Sequence, residues 1–306
     1  MASEQAQMMR SLLAAMREAN AGRQLDDLSV EDMRAGAEQG MAMMGVMPDG
    51  VTVSDTTAGG RPALWIVPDG VPSDRVLLYL HGGAYVLLSP QSHVKLTAGI
   101  AKAAGVRALS LDYRLAPEHP HPAAVTDAVA AYRWLLDQGF APEAIAISGD
   151  SAGGGLTLAT LLALREQGLP QPAAAVPLSP WTDLEGTGES MTSNAERDLM
   201  IQAEPLRHSA GLFVGDGDVR DPLAAPVHAD FTGVAPLYIQ VGGDETLLDD
   251  STRVAVKAAH AGCDVRLDVF PEMQHVFQAA LGMLPEADDA VARIGAYLRP
   301  RLGVTS

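Results

Sequence analysis

Short apolar runs alternate with amphipathic stretches over most of the chain, and this alternation restricts the possible folds more than any other feature. The apolar runs cover residues 63–67, 76–80, 106–111, 144–147, 173–178, 237–241 and 265–270. Helical spacing marks residues 123–136, 152–164, 251–261 and 287–298. Strands that are apolar along their whole length, separated by amphipathic helices, are typical of a mostly parallel sheet covered by helices on both faces. The chain is therefore predicted to have an α/β fold.

Two regions fall outside this alternation. Residues 1–48 are predicted to form a separate helical segment, because apolar residues recur there at helical spacing and Ser29 can cap a second helix. Residues 49–306 would then form the main domain. Between residues 183 and 220 the chain is polar and helical in patches. Such an excursion beyond a strand end tends to lie over the ligand crevice of an α/β sheet.

Charge and composition exclude several classes of protein. The 306 residues carry a net charge of −17. An acidic surface repels polyanions, so no nucleic acid is expected as a partner. The single cysteine, Cys263, cannot form an internal disulfide. The first residues show no signal-peptide pattern, and no apolar run reaches about 18 residues, so we expect a cytoplasmic protein with no membrane span.

The pentapeptide at residues 149–153, GDSAG, matches the pattern G-x-S-x-G. It follows an apolar run and opens a helical stretch, which is the setting of a nucleophile elbow. The glycines are needed because this turn is sharp, and a side chain would clash with the strand and the helix. The turn places the Ser151 hydroxyl at a helix N-terminus, where negative charge is favoured. A glycine-rich helix start with a capping serine is the alternative, and the strand–turn–helix setting disfavours it.

A second small-residue motif, HGGAY at residues 81–85, directly follows the run 76–80. Its backbone amides can approach a developing oxyanion, together with the amide of Ala152 after the nucleophile. A plain glycine-rich turn is the alternative, and the position of the motif between a strand and the elbow disfavours it. His81 is expected to shape this loop rather than to carry a proton.

Asp244 and His275 each follow the carboxyl end of an apolar run. The order Ser, Asp, His along the chain is the order that the fold with this elbow imposes. We therefore predict a catalytic triad in which His275 accepts the proton of Ser151 and Asp244 fixes the imidazole tautomer. Three other acids are close enough in sequence to compete with Asp244, namely Glu245, Asp249 and Asp250.

Further motifs lie at residues 112–124 (DYRLAPEHPHPAA), 221–226 (DPLAAP) and 241–250 (VGGDETLLDD). With those above, they resemble the hormone-sensitive-lipase-like carboxylesterases, the bacterial family IV branch with a GDSAG elbow. The resemblance covers roughly residues 60–300 and implies the α/β-hydrolase fold, with a helical cap built from the N-terminal helices and the insertion near 183–220. It also implies an oxyanion hole formed by the amides of Gly82, Gly83, Ala84 and Ala152.

The resemblance implies a serine carboxylesterase that hydrolyses neutral short- to medium-chain acyl esters of small molecules, with neither a metal nor a cofactor. Two alternatives use the same triad, a monoterpene-type lactone hydrolase and an acetyl hydrolase. A non-catalytic ligand receptor on the same fold is an alternative of a different class. Pairing of the strand at 265–270 with its copy would give a homodimer, as in similar proteins.

The first 50 residues contain nine of the thirteen methionines. Flexible thioether side chains form adaptable apolar surfaces, so this segment is either a pliable acyl-binding lid or an ordinary helical layer packed on the body. In the first case, the candidates for substrate contacts are Tyr85, Met191, Leu199 and Met200.

Overall fold

The computed structural model describes residues 2–20 and 29–304. The strands are β1 (Val51–Ala58), β2 (Arg61–Pro68), β3 (Val76–Leu80), β4 (Arg107–Leu111), β5 (Ile145–Asp150), β6 (Ala174–Leu178), β7 (Leu237–Gly242) and β8 (Val265–Phe270). The helices are α1 (Glu4–Asn20), α2 (Val30–Ala42), α3 (Val94–Ala104), α4 (Ala123–Asp137), α5 (Ala152–Glu166), α6 (Ser190–Ser193), α7 (Ala203–Val214), α8 (Leu248–His260) and α9 (Pro285–Arg301).

The strands form one sheet in the order β1-β2-β4-β3-β5-β6-β7-β8. The pairings β1·β2 and β2·β4 are antiparallel, and all the others are parallel. The predicted mostly parallel sheet is therefore confirmed. In the centre, Leu80 of β3 lies opposite Gly149 of β5. The loops that follow these two strands consequently leave the sheet side by side.

Helices cover both faces of the sheet, as predicted. Successive residues of β3 alternate between two apolar clusters, so that Leu78 packs with residues of α4 and α5 while Leu77 packs with residues of α3 and α9. All five residues of β3 are buried. A strand with no polar side can lie only between two covered faces, which explains why its sequence is apolar throughout.

The first strand was not predicted from the sequence. β1 reads VTVSDTTA, and most of its side chains are exposed. It lies at the antiparallel edge of the sheet, where it buries little apolar surface. A strand of this kind has no apolar run and is recognised only through its pairing with β2.

The described parts of the two regions outside the alternation contain four helices. α1 and α2 precede β1, and Ser29 caps α2, since its Oγ accepts a hydrogen bond from the Asp32 amide at 3.1 Å. The insertion between residues 183 and 220 contains α6 and α7 and no strand among its described residues. Over residues 2–20 and 29–304, no helix combines the length and the apolar character that crossing a membrane requires.

Candidate active site

The turn that carries Ser151 has the geometry of a nucleophile elbow. Ser151 lies between β5 and α5 with a left-handed backbone conformation (φ 53°, ψ −120°). Such strain is typical of functional turns. A Cβ on Gly149 would lie 2.3 Å from the Gly153 carbonyl oxygen, and one on Gly153 would lie 2.0 Å from the Leu80 carbonyl oxygen. The predicted reason for both glycines, a clash with the neighbouring strand and helix, is confirmed.

His275 is held through one ring nitrogen. Its Nδ1 lies 2.8 Å from Oε2 of Glu245, and the two side chains are only 5% and 0% exposed. Because the carboxylate accepts this hydrogen bond, Nδ1 carries the ring proton and Nε2 is the basic nitrogen. Nε2 is buried and has no hydrogen-bond partner among the described residues. The imidazole is thus oriented on one side and ready to accept a proton on the other.

The prediction that Asp244 pairs with His275 is wrong. The Asp244 carboxylate forms an ion pair with Arg10 of α1, and it lies 3.8 Å from Arg197 in the insertion. Asp244 therefore faces the helical regions, while its neighbour Glu245 faces the imidazole.

The backbone after β7 explains which acid faces the imidazole. The Asp244 amide donates to the carbonyl oxygen of Met273 at 3.2 Å, which ties this turn to the loop after β8. The Glu245 side chain then enters the body, where its Oε1 accepts a hydrogen bond from the Gly242 amide at 2.5 Å. A glutamate is one methylene longer than an aspartate, so it can reach the imidazole from the next position along the chain.

Burial and pairing shift the pKa values of both groups. Burial raises the pKa of the Glu245 carboxyl, although hydrogen bonds from His275 and Ser179 favour the ionised form. Burial also acts to lower the pKa of His275, but the Glu245 carboxylate outweighs it, so that this pKa lies above its ordinary value. An imidazole made more basic by a buried carboxylate is suited to general base catalysis.

The loop at residues 81–85 has fewer free amides than predicted. The Gly82 amide donates to Oδ1 of Asp150 at 3.2 Å, so its predicted place in an oxyanion hole is wrong. Gly83 has a left-handed backbone (φ 110°), and a Cβ there would lie 2.1 Å from the Leu87 carbonyl oxygen. Within residues 2–20 and 29–304, three of the predicted amides have no hydrogen-bond acceptor, those of Gly83, Ala84 and Ala152.

Asp150 fixes this loop to the elbow. Its buried carboxylate accepts hydrogen bonds from the Tyr79 hydroxyl at 2.7 Å and pairs with Nε2 of His93 at 3.2 Å. This network was not predicted, because Asp150 occupies a variable position of the pentapeptide. Burial lowers the pKa of His81 to about 3, and its Nδ1 lies 2.7 Å from the Gly82 carbonyl oxygen. A neutral, buried His81 agrees with its predicted role in shaping the loop.

A small apolar cavity lies beside His275, between α1 and the loop after β8. Met200, a predicted substrate contact, lines it and is 44% exposed. Leu199 is anchored nearby, since its amide donates to Oε1 of Gln274 at 2.7 Å. The lining residues are Ala6, Met9, Arg10, Leu13, Met44, Met200, Glu272, Met273, Gln274, His275, Phe277, Ala280 and Leu284.

Tyr85 and Met191 lie in the core instead. Tyr85 is 1% exposed, and its ring stacks on that of Phe213 in α7 at a centroid distance of 3.7 Å. Met191 is 6% exposed and packs in the same apolar cluster. Both side chains are therefore buried in this structure, and the prediction that they contact the substrate stays a prediction.

One group of possible metal ligands occurs in the described part of the chain. The ligand atoms of Asp183, Glu185 and His228 lie within 4.8 Å of one another. However, Arg253 contacts the Asp183 carboxylate at 2.7 Å, and Arg220 contacts the Glu185 carboxylate at 2.7 Å. Both carboxylates already have cationic partners, so we interpret this group as an ion-pair cluster.

This chain is similar to known proteins of the same fold. A family model of the α/β-hydrolase fold matches residues 77–279. An acetyl-hydrolase of Streptomyces hygroscopicus is 46% identical over 270 residues, which cover 87% of this chain and 88% of the relative. The putative acetyl-hydrolase LipR of Mycobacterium tuberculosis is 38% identical over 255 residues, covering 83% of this chain and 82% of that protein.

Solved structures are similar over nearly the whole chain. A crystal structure of EstE5 soaked with p-nitrophenyl butyrate has a TM-score of 0.92 and 41% identity, covering 99% of this chain and 100% of that one. An esterase from the bacterial hormone-sensitive lipase family has a TM-score of 0.93 and 45% identity, covering 98% of this chain and 99% of that one.

The chain therefore belongs to the α/β-hydrolase family. Within that family it belongs to the hormone-sensitive-lipase-like esterases of family IV, so the resemblance drawn from the sequence motifs is confirmed. Its predicted class of reaction, hydrolysis of carboxylic esters by a serine esterase, is confirmed with it.

Proposed function

We propose that this esterase cleaves neutral carboxylic esters with Ser151 as nucleophile, His275 as general base and Glu245 as the acid that orients the imidazole. The hydrogen bond of 2.8 Å between His275 Nδ1 and Glu245 Oε2 carries the proposal. It fixes the tautomer and leaves Nε2 as the proton acceptor.

The reaction follows from these roles. The Ser151 oxygen attacks the carbonyl carbon of the ester, and its proton moves to Nε2 of His275. The tetrahedral intermediate collapses with loss of the alcohol, which takes this proton from the imidazolium. Water then attacks the acyl-enzyme, His275 accepts a proton from the water, and the acid product leaves as Ser151 regains its hydrogen.

The amides of Gly83, Ala84 and Ala152 are proposed to bind the oxyanion. They lack acceptors in the described residues, and Ala152 begins α5, whose N-terminus favours negative charge. Removing one such donor typically costs about 10²–10³ in rate. The change from the common third glycine to Ala84 keeps the backbone amide, so the stabilisation is retained.

Replacement of the nucleophile tests the mechanism. The Ser151→Ala variant should lose turnover of p-nitrophenyl butyrate and labelling by a fluorophosphonate probe, while its thermal unfolding stays that of a folded protein. Ser148→Ala is a matched control, because the buried Ser148 hydroxyl has one hydrogen-bond partner among the described residues, the Val176 carbonyl oxygen at 2.6 Å. Activity in Ser151→Ala would remove Ser151 from the mechanism. Failure of the wild-type protein to react with the probe would favour the non-catalytic receptor.

An apolar arm of the substrate is proposed to occupy the cavity beside His275. The cavity is lined by methionines and other apolar side chains from α1 and the body. The net charge of −17 further disfavours anionic esters. The methionine-rich segment then acts as a pliable wall of the acyl or alcohol site.

Adjacent leucines of α1 provide a matched test of this cavity. Leu13 lines it, whereas Leu12 is 57% exposed on the outer side of the helix. In a series of p-nitrophenyl esters, Leu13→Trp should shift the preferred chain length downwards, because the indole fills the cavity. Leu12→Trp should keep the wild-type preference. Equal profiles for the two variants would place the substrate elsewhere.

Acetyl esters are the second candidate substrates, since the similar Streptomyces protein is an acetyl-hydrolase. The same chain-length series separates the two candidates by whether kcat/KM is greatest for acetate or for a longer acyl group. A lactone substrate is tested by comparing kcat/KM for a cyclic ε-lactone with that for a linear ester of the same carbon number.

The helical regions are proposed to form the cap. α1 packs beside His275, and Arg17 of α1 donates to the carbonyl oxygens of Ala195 at 3.2 Å and Asp198 at 3.1 Å in the insertion. These contacts join α1 to the insertion near 183–220. The predicted cytoplasmic location stays a prediction that cell fractionation can test.

A homodimer through β8 is proposed as the oligomeric state. β8 is the last strand of the sheet, and Val269 on it is 43% exposed. An unpaired edge can pair with a second copy. Light scattering should then give the mass of a dimer for the wild type and of a monomer for Val269→Pro, whereas a monomeric wild type would contradict the proposal.

A further inference from the structure

Ser179 lies where the loops of the candidate triad meet. It follows β6 directly and is completely buried. Its predecessor Leu178 accepts a hydrogen bond from the Ser151 amide at 2.8 Å. The carbonyl end of β6 is thereby attached to the nucleophile elbow on one side, and Ser179 faces the acid and the histidine loop on the other.

The Ser179 hydroxyl makes two hydrogen bonds in opposite senses. It donates to Oε1 of Glu245 at 2.7 Å. It also accepts from the amide of Val276, the residue after His275, at 3.3 Å. One oxygen atom therefore connects the carboxylate that orients the imidazole with the backbone that carries the imidazole.

Two residues in this connection have left-handed backbones. Ser179 has φ 43° and Val276 has φ 49°. Residues with a Cβ, and above all β-branched ones such as valine, rarely adopt this conformation, and it persists only where the surroundings enforce it. The donor and the acceptor of the hydrogen bond between the Val276 amide and the Ser179 hydroxyl therefore both belong to residues with strained backbones.

A glutamate needs this support more than an aspartate would, because its side chain has an additional rotatable bond. Oε1 of Glu245 is fixed by two donors, the Ser179 hydroxyl and the Gly242 amide at 2.5 Å. Because Oε1 is fixed, the orientation of the whole carboxylate is fixed. Its other oxygen, Oε2, is then held against Nδ1 of His275. Hydrogen bonds to an ionised group are among the stronger ones in proteins.

We propose that Ser179 is a positioning residue of the hydrolytic reaction, which sets the Glu245 carboxylate against His275 and joins it to the histidine loop. The proposal rests on the proposed function. Ser179 is completely buried and its hydroxyl is bonded to Glu245 and to the Val276 amide, so it acts through Glu245.

Two substitutions remove the hydroxyl in different ways. Ser179→Ala deletes it and keeps the strained Cβ, whereas Ser179→Gly also relieves the backbone, because glycine adopts positive φ freely. Both should lower kcat for p-nitrophenyl butyrate by about 10- to 100-fold, the usual range for loss of a hydrogen bond to a charged group. KM should change little. Ser148→Ala, which loses a buried hydroxyl in the adjacent β5, should keep wild-type kcat.

The pH dependence of kcat/KM distinguishes a positioning role of Ser179 from a purely structural one, because only the positioning role changes it. The Ser179 hydroxyl stabilises the ionised Glu245, so its loss makes the Glu245–His275 pair bind a proton more readily. The acid limb of kcat/KM should therefore shift to higher pH in both Ser179 variants. In a Glu245→Gln background, Ser179→Ala should reduce kcat by less than threefold, because the acceptor of the hydroxyl is no longer a carboxylate.

The outcomes separate this proposal from the proposed function. Wild-type kcat and an unmoved acid limb in a folded Ser179→Ala variant would overturn the role of Ser179, while Ser151→Ala could still be inactive. Recovery of wild-type kcat in Ser179→Gly would assign the effect to backbone strain and also overturn it. A full loss in the Glu245→Gln background would show that Ser179 does not act through Glu245. Failure of the wild type to label at Ser151 would instead contradict the proposed function.

Discussion

Asp244 and Glu245 are neighbours in the chain, but they belong to two regions that are stabilised differently. Glu245 is completely buried and is held by the body, through Gly242 and Ser179. Asp244 pairs with Arg10 of α1, whose side chain is 39% exposed. The body surrounds its acid with fixed donors, whereas the proposed cap contacts its acid through a partly exposed arginine. The first arrangement is suited to catalysis, and the second to docking an adaptable helix.

The same contrast extends over both regions. In the body, backbone atoms approach so closely at the elbow that Gly149 and Gly153 have no room for a Cβ. In the proposed cap, α1 leaves large apolar side chains in solvent, with Met8 74% and Leu12 57% exposed. Where backbone atoms approach each other closely, only glycine fits, whereas an exposed position accepts many residue types. Substitutions should therefore be costly in the body and mild in the cap.

The largest expected difference is between the two neighbouring acids. Glu245→Gln should lower kcat by about 10⁴, the loss seen when a triad carboxylate becomes an amide and the imidazole loses its correct tautomer. Asp244→Asn should change kcat/KM by no more than about fivefold, because a partly exposed ion pair is worth up to about 1 kcal/mol. Steady-state kinetics with p-nitrophenyl butyrate at low ionic strength would measure both effects.

Arg10→Gln is the control for the second acid, since it removes the same ion pair from the cap side. Its effect should be no larger than that of Asp244→Asn, because Arg197 still lies 3.8 Å from the Asp244 carboxylate, and it should decrease with added salt in the same way. If Asp244→Asn proved more damaging to kcat than Glu245→Gln, the contrast would be reversed and Asp244 would be the catalytic acid after all.

Two glycine substitutions should change the stability of the two regions in opposite directions. Gly153→Ala should lower the free energy of unfolding by about 3 kcal/mol or more, because its Cβ would lie 2.0 Å and 2.4 Å from carbonyl oxygens of residues 80 and 81. Gly36→Ala in α2 should raise that free energy by about 0.5–1 kcal/mol, because alanine favours a helix and, apart from its chain neighbours and the adjacent helix backbone, no described atom lies within 4 Å of the new Cβ. Urea unfolding measures both changes.

A Gly153→Ala protein with wild-type stability would mean that the elbow can relax, and the crowding argument would fail. Loss of stability in Gly36→Ala would mean that the cap is packed as tightly as the body.

Sequence reasoning was successful where the physics restricts residue types. The apolar strands and GDSAG were recognised because a doubly covered sheet and a sharp turn admit few alternatives. The triad acid was misassigned by one position, because either acid of Asp244-Glu245 satisfies the chain order, and only the turn tied to Met273 decides between them. The roles of Asp150 and Ser179 were not predicted, since both depend on contacts between distant strands that no local pattern records.

Asp249 and Asp250 at the start of α8 are a second pair of neighbouring acids, of which one contacts the insertion and the other is buried in the body. Asp249 accepts a hydrogen bond from the Ser190 amide of α6, in the insertion, at 2.9 Å. Asp250 is 1% exposed and accepts hydrogen bonds from the amides of Thr182 and Asp183, at 2.6 Å and 2.8 Å. Burial raises the pKa of the Asp250 carboxyl from 3.8 to about 7, although these hydrogen bonds oppose the shift.

The sign of the resulting pH dependence is fixed by this upward shift. Between about pH 4, where an unfolded carboxyl titrates, and about pH 7, the folded protein retains a proton on Asp250 that the unfolded chain releases. The contribution of Asp250 to the free energy of unfolding is therefore greatest below pH 4 and is lost as the pH rises to 7, with a slope of at most about 1.4 kcal/mol per pH unit.

Asp250→Asn should remove this slope, because an amide does not titrate in this range. Asp249→Asn should keep it, since its carboxylate faces the insertion and is not the buried group. The measurement is the difference in the free energy of unfolding between each variant and the wild type, from urea titrations at several pH values between 4 and 7. A difference between Asp250→Asn and the wild type that stays constant with pH would mean that the Asp250 carboxylate is ionised in the folded protein. Any pH dependence of the wild-type stability in this range would then come from other groups.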